Sequence, residues 1–162
     1  MQKKDPLITV KEIEQIITVP STYHIIRPPE FKVRGKAKHI SKEKMGKRVN
    51  EVRKFLSQRF GGYTSVKGGG GWWSNDAKKL IKEDVAKVTG FANESEYKKN
   101  KNELKNEIFN LGKKWGQESM AFERKGKLYF YNIPEWERRG EKTFGNNIKI
   151  NRLKARIRRR KR

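Results

Sequence analysis

The chain of 162 residues has no cysteine, two histidines, three aspartates and no apolar run near the roughly 18 residues of a membrane span. Each absence removes a class of function. Without thiols there is no disulfide staple, zinc ribbon or cysteine nucleophile. His24 and His39 stand alone, and Asp5, Asp76 and Asp84 are far apart. Metal-assisted hydrolysis needs converging carboxylates or imidazoles at ligand spacing, so no metal and no cofactor is expected. The start Met1-Gln2-Lys3-Lys4-Asp5 lacks the apolar segment of a signal peptide, so a cytoplasmic, reducing location and no membrane partner are expected. Acidic residues are scarce: 18 Asp and Glu face 41 Lys and Arg, a formal charge of +23. A balance of that kind points to a polyanionic partner.

The positive charge is unevenly spread. Residues 138–162 hold twelve basic residues and one acid, Glu141. The run Arg156-Ile157-Arg158-Arg159-Arg160-Lys161-Arg162 repels itself and has too little apolar surface to fold alone. Residues 132–162 therefore read as a basic extension.

Residues 1–21 read as an arm with a short helix. Thr9-Val10-Lys11-Glu12 has the form of a capping box, Ile13, Ile16 and Ile17 follow at helical spacing, and Pro20 ends the segment. Residues 22–131 read as the folded core. Thr22-Tyr23-His24-Ile25-Ile26-Arg27 has strand composition, and residues 30–40 read as a connection. A long helix follows, with Ser41 as N-cap, Met45, Val49, Val52 and Leu56 as its buried stripe, and Gly61-Gly62 as its end. Tyr63–Lys67 reads as a strand, Gly68–Gly71 as a loop before Trp72-Trp73, and Leu80–Thr89 as the next strand. Asn93-Glu94-Ser95-Glu96 is a second capping box. It opens a helix with Tyr97, Leu104, Ile108, Leu111 and Trp115 on one side and Gly116 at its close. Two strands flanking Lys125-Gly126 complete the core as a hairpin.

The order strand, helix, strand, strand, helix, strand predicts an α+β, ferredoxin-like split βαβ sandwich, with an antiparallel sheet and two helices on one face. Gly61-Gly62-Tyr63-Thr64, the glycine-rich segment ending in Trp72, Glu83-Asp84-Val85 and Trp115-Gly116-Gln117-Glu118-Ser119 occur in that order. In this the chain resembles, over residues 45–131, an uncharacterised group of small prokaryotic and viral α/β domains. The resemblance implies the same sandwich and brings no activity. The glycine-rich segment is also similar to that of ferredoxin-like CRISPR RNA-processing endoribonucleases, in which such a segment grips RNA.

Candidate site residues follow from charge, glycine and aromatics. Lys47, Arg48, Lys54 and Arg59 lie off the buried stripe of the first helix, as a solvated face or a phosphate-binding one. Gly69 and Gly70 either let backbone approach a phosphate or serve as loop spacing; no P-loop lysine follows them. Of Trp72 and Trp73, one is expected to anchor in the core and the other, assigned to Trp72, to stack on a base. Alternation sends Leu128 and Phe130 to one side of a strand and Tyr129 and Tyr131 to the other; one pair is core, the other solvent-side structure or a stacking platform. In the tail, Arg152, Arg156, Arg158, Arg159, Arg160, Lys161 and Arg162 are expected to neutralise phosphates. These features predict a non-catalytic nucleic-acid-binding component of a nucleoprotein assembly, alongside other proteins, with RNA favoured over DNA. The alternative is a metal-independent endoribonuclease, or another nuclease, using the same basic surface; His24 is then the catalytic candidate.

Overall fold

The computed structural model describes residues 9–24, 37–75 and 77–134. Its central strand is β1 (Ile13–Pro20), where the residue spacing predicts a helix. Ile13, Gln15, Ile17 and Val19 are buried in alternation, and the intervening side chains are half-buried. A polar residue in the second inward position hides this period of two, while Ile13, Ile16 and Ile17 imitate a helical stripe. The folded core therefore begins at Ile13 and not at residue 22. Lys11, part of the supposed capping box, instead donates to the Phe60 carbonyl at 2.6 Å and lies 3.2 Å from Glu96.

After Ser21 the chain forms β2 (Thr22–His24), which pairs antiparallel with β3 (Ala37–His39) in a separate two-stranded ribbon. The expected continuation through Arg27 lies outside the described residues. The helix α1 (Lys42–Phe60) starts where Ser41 accepts from the Lys44 amide at 3.2 Å and stops at Gly61, whose φ of 84° is the left-handed region a C-cap requires. Val49, Val52, Leu56 and Phe60 are its buried stripe.

The next strand differs from its expected form. β4 (Thr64–Ser74) runs unbroken through the four glycines and both tryptophans, in register with β5 (Lys79–Ala92) from Thr64 opposite Thr89 to Ser74 opposite Lys79. The glycines are ladder residues, not a loop. Low strand propensity is overridden because every residue of the segment has a ladder partner across a hairpin.

The helix α2 (Glu94–Lys114) has both arms of its capping box: the Glu96 amide donates to Asn93 Oδ1 at 2.9 Å, and the Asn93 amide to Glu96 Oε2 at 3.0 Å. That backbone bond is the main reason the Glu96 carboxyl titrates below the ordinary glutamate range. β6 (Ser119–Arg124) and β7 (Lys127–Asn132) close the core as a hairpin. Its turn residues Lys125 (φ 49°) and Gly126 (φ 73°) have the type I′ signs that match strand twist.

The sheet order is β4-β5-β1-β6-β7, with every pairing antiparallel. Strands β1, β4, β5 and β6 with the two helices make the ferredoxin-like α+β sandwich, and β7 is added at one edge. Both helices lie on the face that presents Ile17, Val88 and Phe122, and Leu56, Ile108 and Trp115 complete the core there. Gly112 of α2 is needed for close packing: a Cβ there would stand 2.8 Å from Ile133 and Met120 side-chain atoms. None of the described helices is long and apolar enough to cross a membrane.

Gln15 is fully buried, and among the described residues neither its Oε1 nor its Nε2 finds a partner. An unsatisfied buried amide costs about 1–3 kcal/mol, whereas an apolar side chain of the same length carries no such penalty. Gln15→Met is therefore expected to stabilise the protein by about 1 kcal/mol. Urea unfolding should show a higher midpoint at unchanged slope; a lower midpoint would mean that the amide is satisfied in solution.

Candidate nucleic-acid interface

The helical layer owes its placement to Arg48, one of the expected phosphate ligands. Its side chain is 2% exposed. Nη1 donates to the Pro20 and Thr22 carbonyls at 2.7 and 2.9 Å, Nη2 to the Trp115 carbonyl at 3.4 Å, and the guanidinium lies 5.1 Å from the Trp115 ring centroid. The Gln117 amide reaches the same Thr22 and Trp115 carbonyls at 2.6 and 3.0 Å. Arg48 thus joins α1 to the end of β1 and to the α2–β6 corner, and it is no part of a surface. The Trp115-Gly116-Gln117 motif is explained by the same cluster, with Gly116 turning the chain at φ 64°.

The other expected helix residues are exposed. Lys47 pairs with Glu43 at 2.9 Å, and the lysine holds that carboxyl below its ordinary pKa. Arg59 pairs with Glu103 of α2 at 2.6 Å. Lys54 borders an open groove of about 470 Å³ between the helices, lined also by Glu51, Phe55, Gln58, Glu107 and Lys114. Exposed pairs of this kind are weak and screened by salt, so a phosphate competes readily for the cation. Lys98, Lys101 and Lys105 form an exposed row on α2 that the sequence reading passed over. The signal was present in their spacing of three and four, which places them on one helix face. Overall, α1 carries seven basic and two acidic residues, and α2 six and four.

The aromatic candidates fall elsewhere. Beyond the end of β1, which pairs with β5 from Val85 to Ala92, the β4–β5 hairpin continues as a two-stranded ribbon. Gly69 and Gly70 lie in its ladder, Trp72 opposite Ile81 and Trp73 opposite Leu80. Trp72 is 36% and Trp73 62% exposed. Neither tryptophan anchors in the core, because none of the described helices covers the ribbon. Lys78, Lys79 and Lys82 are exposed along it, and Lys67 just before it. In β7, Tyr129 and Tyr131 turn toward the helices and pack against the core, while Leu128 and Phe130 turn outward. The outward pair therefore has one aromatic ring and not two. Arg124 bonds the Tyr97 hydroxyl and lies 4.9 and 5.7 Å from the Tyr97 and Tyr129 centroids, so this aromatic cluster is occupied by a cation of the chain itself.

His24 lies in β2 opposite Ala37, and His39 is exposed at the end of β3. Among the described residues no three His, Asp or Glu side chains converge as a metal site. Arg152, Arg156, Arg158, Arg159, Arg160, Lys161 and Arg162 lie outside the described residues.

No protein-family model matches the chain, and no curated protein matches it. Among solved structures, the chain is similar to a phage SAM lyase in complex with S-methyl-5′-thioadenosine, with a TM-score of 0.49 and 14% identity over 76% of this chain and 91% of that one. A likeness of that degree carries no argument about ligand or activity.

One carboxyl in the interhelical groove is perturbed. Glu107 titrates above its ordinary value because burial disfavours its charge and Glu51 lies close, with Lys114 and Arg59 opposing. Lys114 already bonds Glu51, at 2.5 Å. A carboxyl whose pKa is raised by folding binds its proton more tightly in the folded state. Its ionisation therefore costs stability as pH rises through the folded pKa, and nothing is lost where both states are protonated. Glu107→Gln is expected to raise the melting temperature at neutral pH, with the gain vanishing in acid below the ordinary glutamate range. A melting temperature lowered at neutral pH would show that the ionised carboxylate is a net stabiliser.

Proposed function

We propose that the protein binds nucleic acid, RNA ahead of DNA, as a non-catalytic component of a nucleoprotein assembly. In this reading the phosphate backbone crosses the exposed outer faces of α1 and α2 and is gripped by the Arg-rich C-terminal segment. The observation that carries it is the charge of the helical layer, where basic residues outnumber acidic ones on both helices. Residues 138–162 add twelve more basic residues against a single acid. Each phosphate neutralised by such a surface releases condensed counterion, which supplies affinity without reading sequence. Arginine predominates at the end of the tail, and its planar fork suits phosphate oxygens and stacked bases better than an ammonium does. A backbone-directed mode of this kind favours shape and charge over base identity.

Two variants test the reading by fluorescence anisotropy across a salt series, on RNA and DNA of matched sequence. Combined Lys54→Gln, Lys98→Gln, Lys101→Gln and Lys105→Gln substitutions should weaken binding. They should also flatten the slope of log K against log salt by about 0.7 per lost contact on a single strand. Ending the chain at residue 137 should do the same to a larger extent. The oligonucleotide is expected to remain intact throughout. Unchanged affinity and slope in both variants would remove the proposal, and cleavage abolished by His24→Ala would replace it with a ribonuclease.

A further inference from the structure

The sheet face turned away from the helices is chemically unlike the rest of the molecule. Its position follows from alternation: Ile13, Ile17, Val19, Val88, Ala92, Met120 and Phe122 are buried toward the helices, so their neighbours on each strand point the other way. Among the described residues no helix covers that side. Across β1, β6, β7 and the parts of β4 and β5 that lie beside β1 (Val85 to Ala92 on β5), the outward charges are Glu14, Glu123 and Lys87; Glu83, the next outward residue of β5, accepts from the Thr22 hydroxyl at 2.8 Å. Lys87 is bonded to Glu123 at 2.7 Å, so the excess left on the face is one carboxylate, in a chain of formal charge +23. The sheet's remaining cations lie elsewhere: Lys67, Lys127 and Arg124 on the helix side, the others along the projecting ribbon. Between these charges lie uncharged side chains, the polar Thr18, Thr64, Thr89, Ser119 and Asn132 and a group of apolar ones. Phe130 is 60% exposed, Val66 65%, Leu128 54% and Phe91 44%, and Ile16 lies among them at the centre.

We infer that this face is the interface with a second copy of the same chain, packed sheet against sheet. Three observations select that occupant. A polyanion is repelled by the excess carboxylate, so the face does not extend the nucleic-acid surface. Two copies of a +23 chain repel each other strongly, and they can approach closely through a face that brings no unpaired lysine against lysine. A two-fold arrangement sets the apolar patch on its own copy, which a self-complementary interface requires. The size also suits the role. Five strands spaced about 4.8 Å apart, with about 3.3 Å per residue along the eight of β1, project roughly 600 Å². That is near the roughly 800 Å² per partner of a standard stable interface. Large exposed apolar patches of a few hundred Å² mark association sites in soluble proteins, and face-to-face sheet packing buries such patches in the manner of a sandwich core. The pair would leave both basic helical layers on its outside.

Sedimentation equilibrium on the full-length protein tests this. The wild type should have twice the monomer mass of 19.1 kDa at micromolar concentration, with association strengthening as salt screens the repulsion between copies. Phe130→Lys and Val66→Lys change exposed side chains, so each should give a monomer with unaltered circular dichroism and a melting temperature that no longer rises with protein concentration, while Phe130→Leu should remain paired. A wild-type monomer at every salt concentration overturns the inference, as does an oligomer that survives both lysine substitutions. Binding to nucleic acid should weaken with salt where pairing strengthens, so the two readings fail separately.

Discussion

A single buried cation holds the parts of this fold in register. Arg48 is withdrawn from water into a cluster of backbone carbonyls contributed by Pro20, Thr22 and Trp115, with the indole of Trp115 against its guanidinium. Removing a guanidinium from water is expensive, and the cost is offset only where its donors meet acceptors in good geometry. The planar fork of arginine can serve several carbonyls at once, which a lysine ammonium could not do with the same geometry. The Gln117 amide completes the set by reaching two of the same carbonyls. The bend after β1, the first half of α1 and the turn from α2 into β6 are thereby fixed against one another. Lys11 acts similarly at the opposite end of α1, joining the Phe60 carbonyl to the Glu96 carboxylate. With both ends held, α1 presents Lys47, Lys54 and Arg59 outward as a consequence of burying Arg48.

The two sides of the sandwich then carry opposite electrostatic character. The helical layer gathers most of the exposed cations of the described core, some loosely paired with neighbouring carboxylates, while the open sheet face has close to none. An ordinary solvated sheet face alternates with charged and polar residues; here Phe91, Leu128, Phe130 and Val66 take several of those places, beside Thr18, Thr64 and Thr89. Segregation of this kind would separate the two proposed associations by their chemistry. One is driven by counterion release and weakens with salt; the other is driven by apolar burial and is opposed by net charge, so salt assists it.

How far the fold could be read from the chain depended on how local its determinants are. The two helices were legible because caps and apolar stripes lie within one segment: Ser41 with Gly61, and Asn93 with Glu96. The β6–β7 hairpin was legible for the same reason, through Lys125-Gly126. β1 was not, because its inward row includes Gln15, and only pairing with β5 and β6 distinguishes that row from a helical one. The glycine run in β4 was misread because its strand character comes from cross-strand partners Lys82 to Val85 and not from its own propensity. Among site residues, exposure could not be inferred for Arg48, which carries the same charge as Lys47 yet points inward. One of Trp72 and Trp73 was expected to anchor in the core from its size, and only the length of the ribbon beyond β1 shows why both are exposed.

Under the proposed function, charge segregation divides the surface into a side that meets nucleic acid and a side closed to it. Backbone amide shifts of isotopically labelled protein, followed by NMR during titration with a single-stranded oligonucleotide, test it most directly. Perturbations are expected along the outer faces of α1 and α2, at Lys47, Lys54, Lys98, Lys101 and Lys105, and throughout residues 138–162. Ile16, Val66, Phe91, Leu128 and Phe130 are expected to stay unmoved. Perturbations concentrated on the sheet face, with the helices and tail silent, would contradict it.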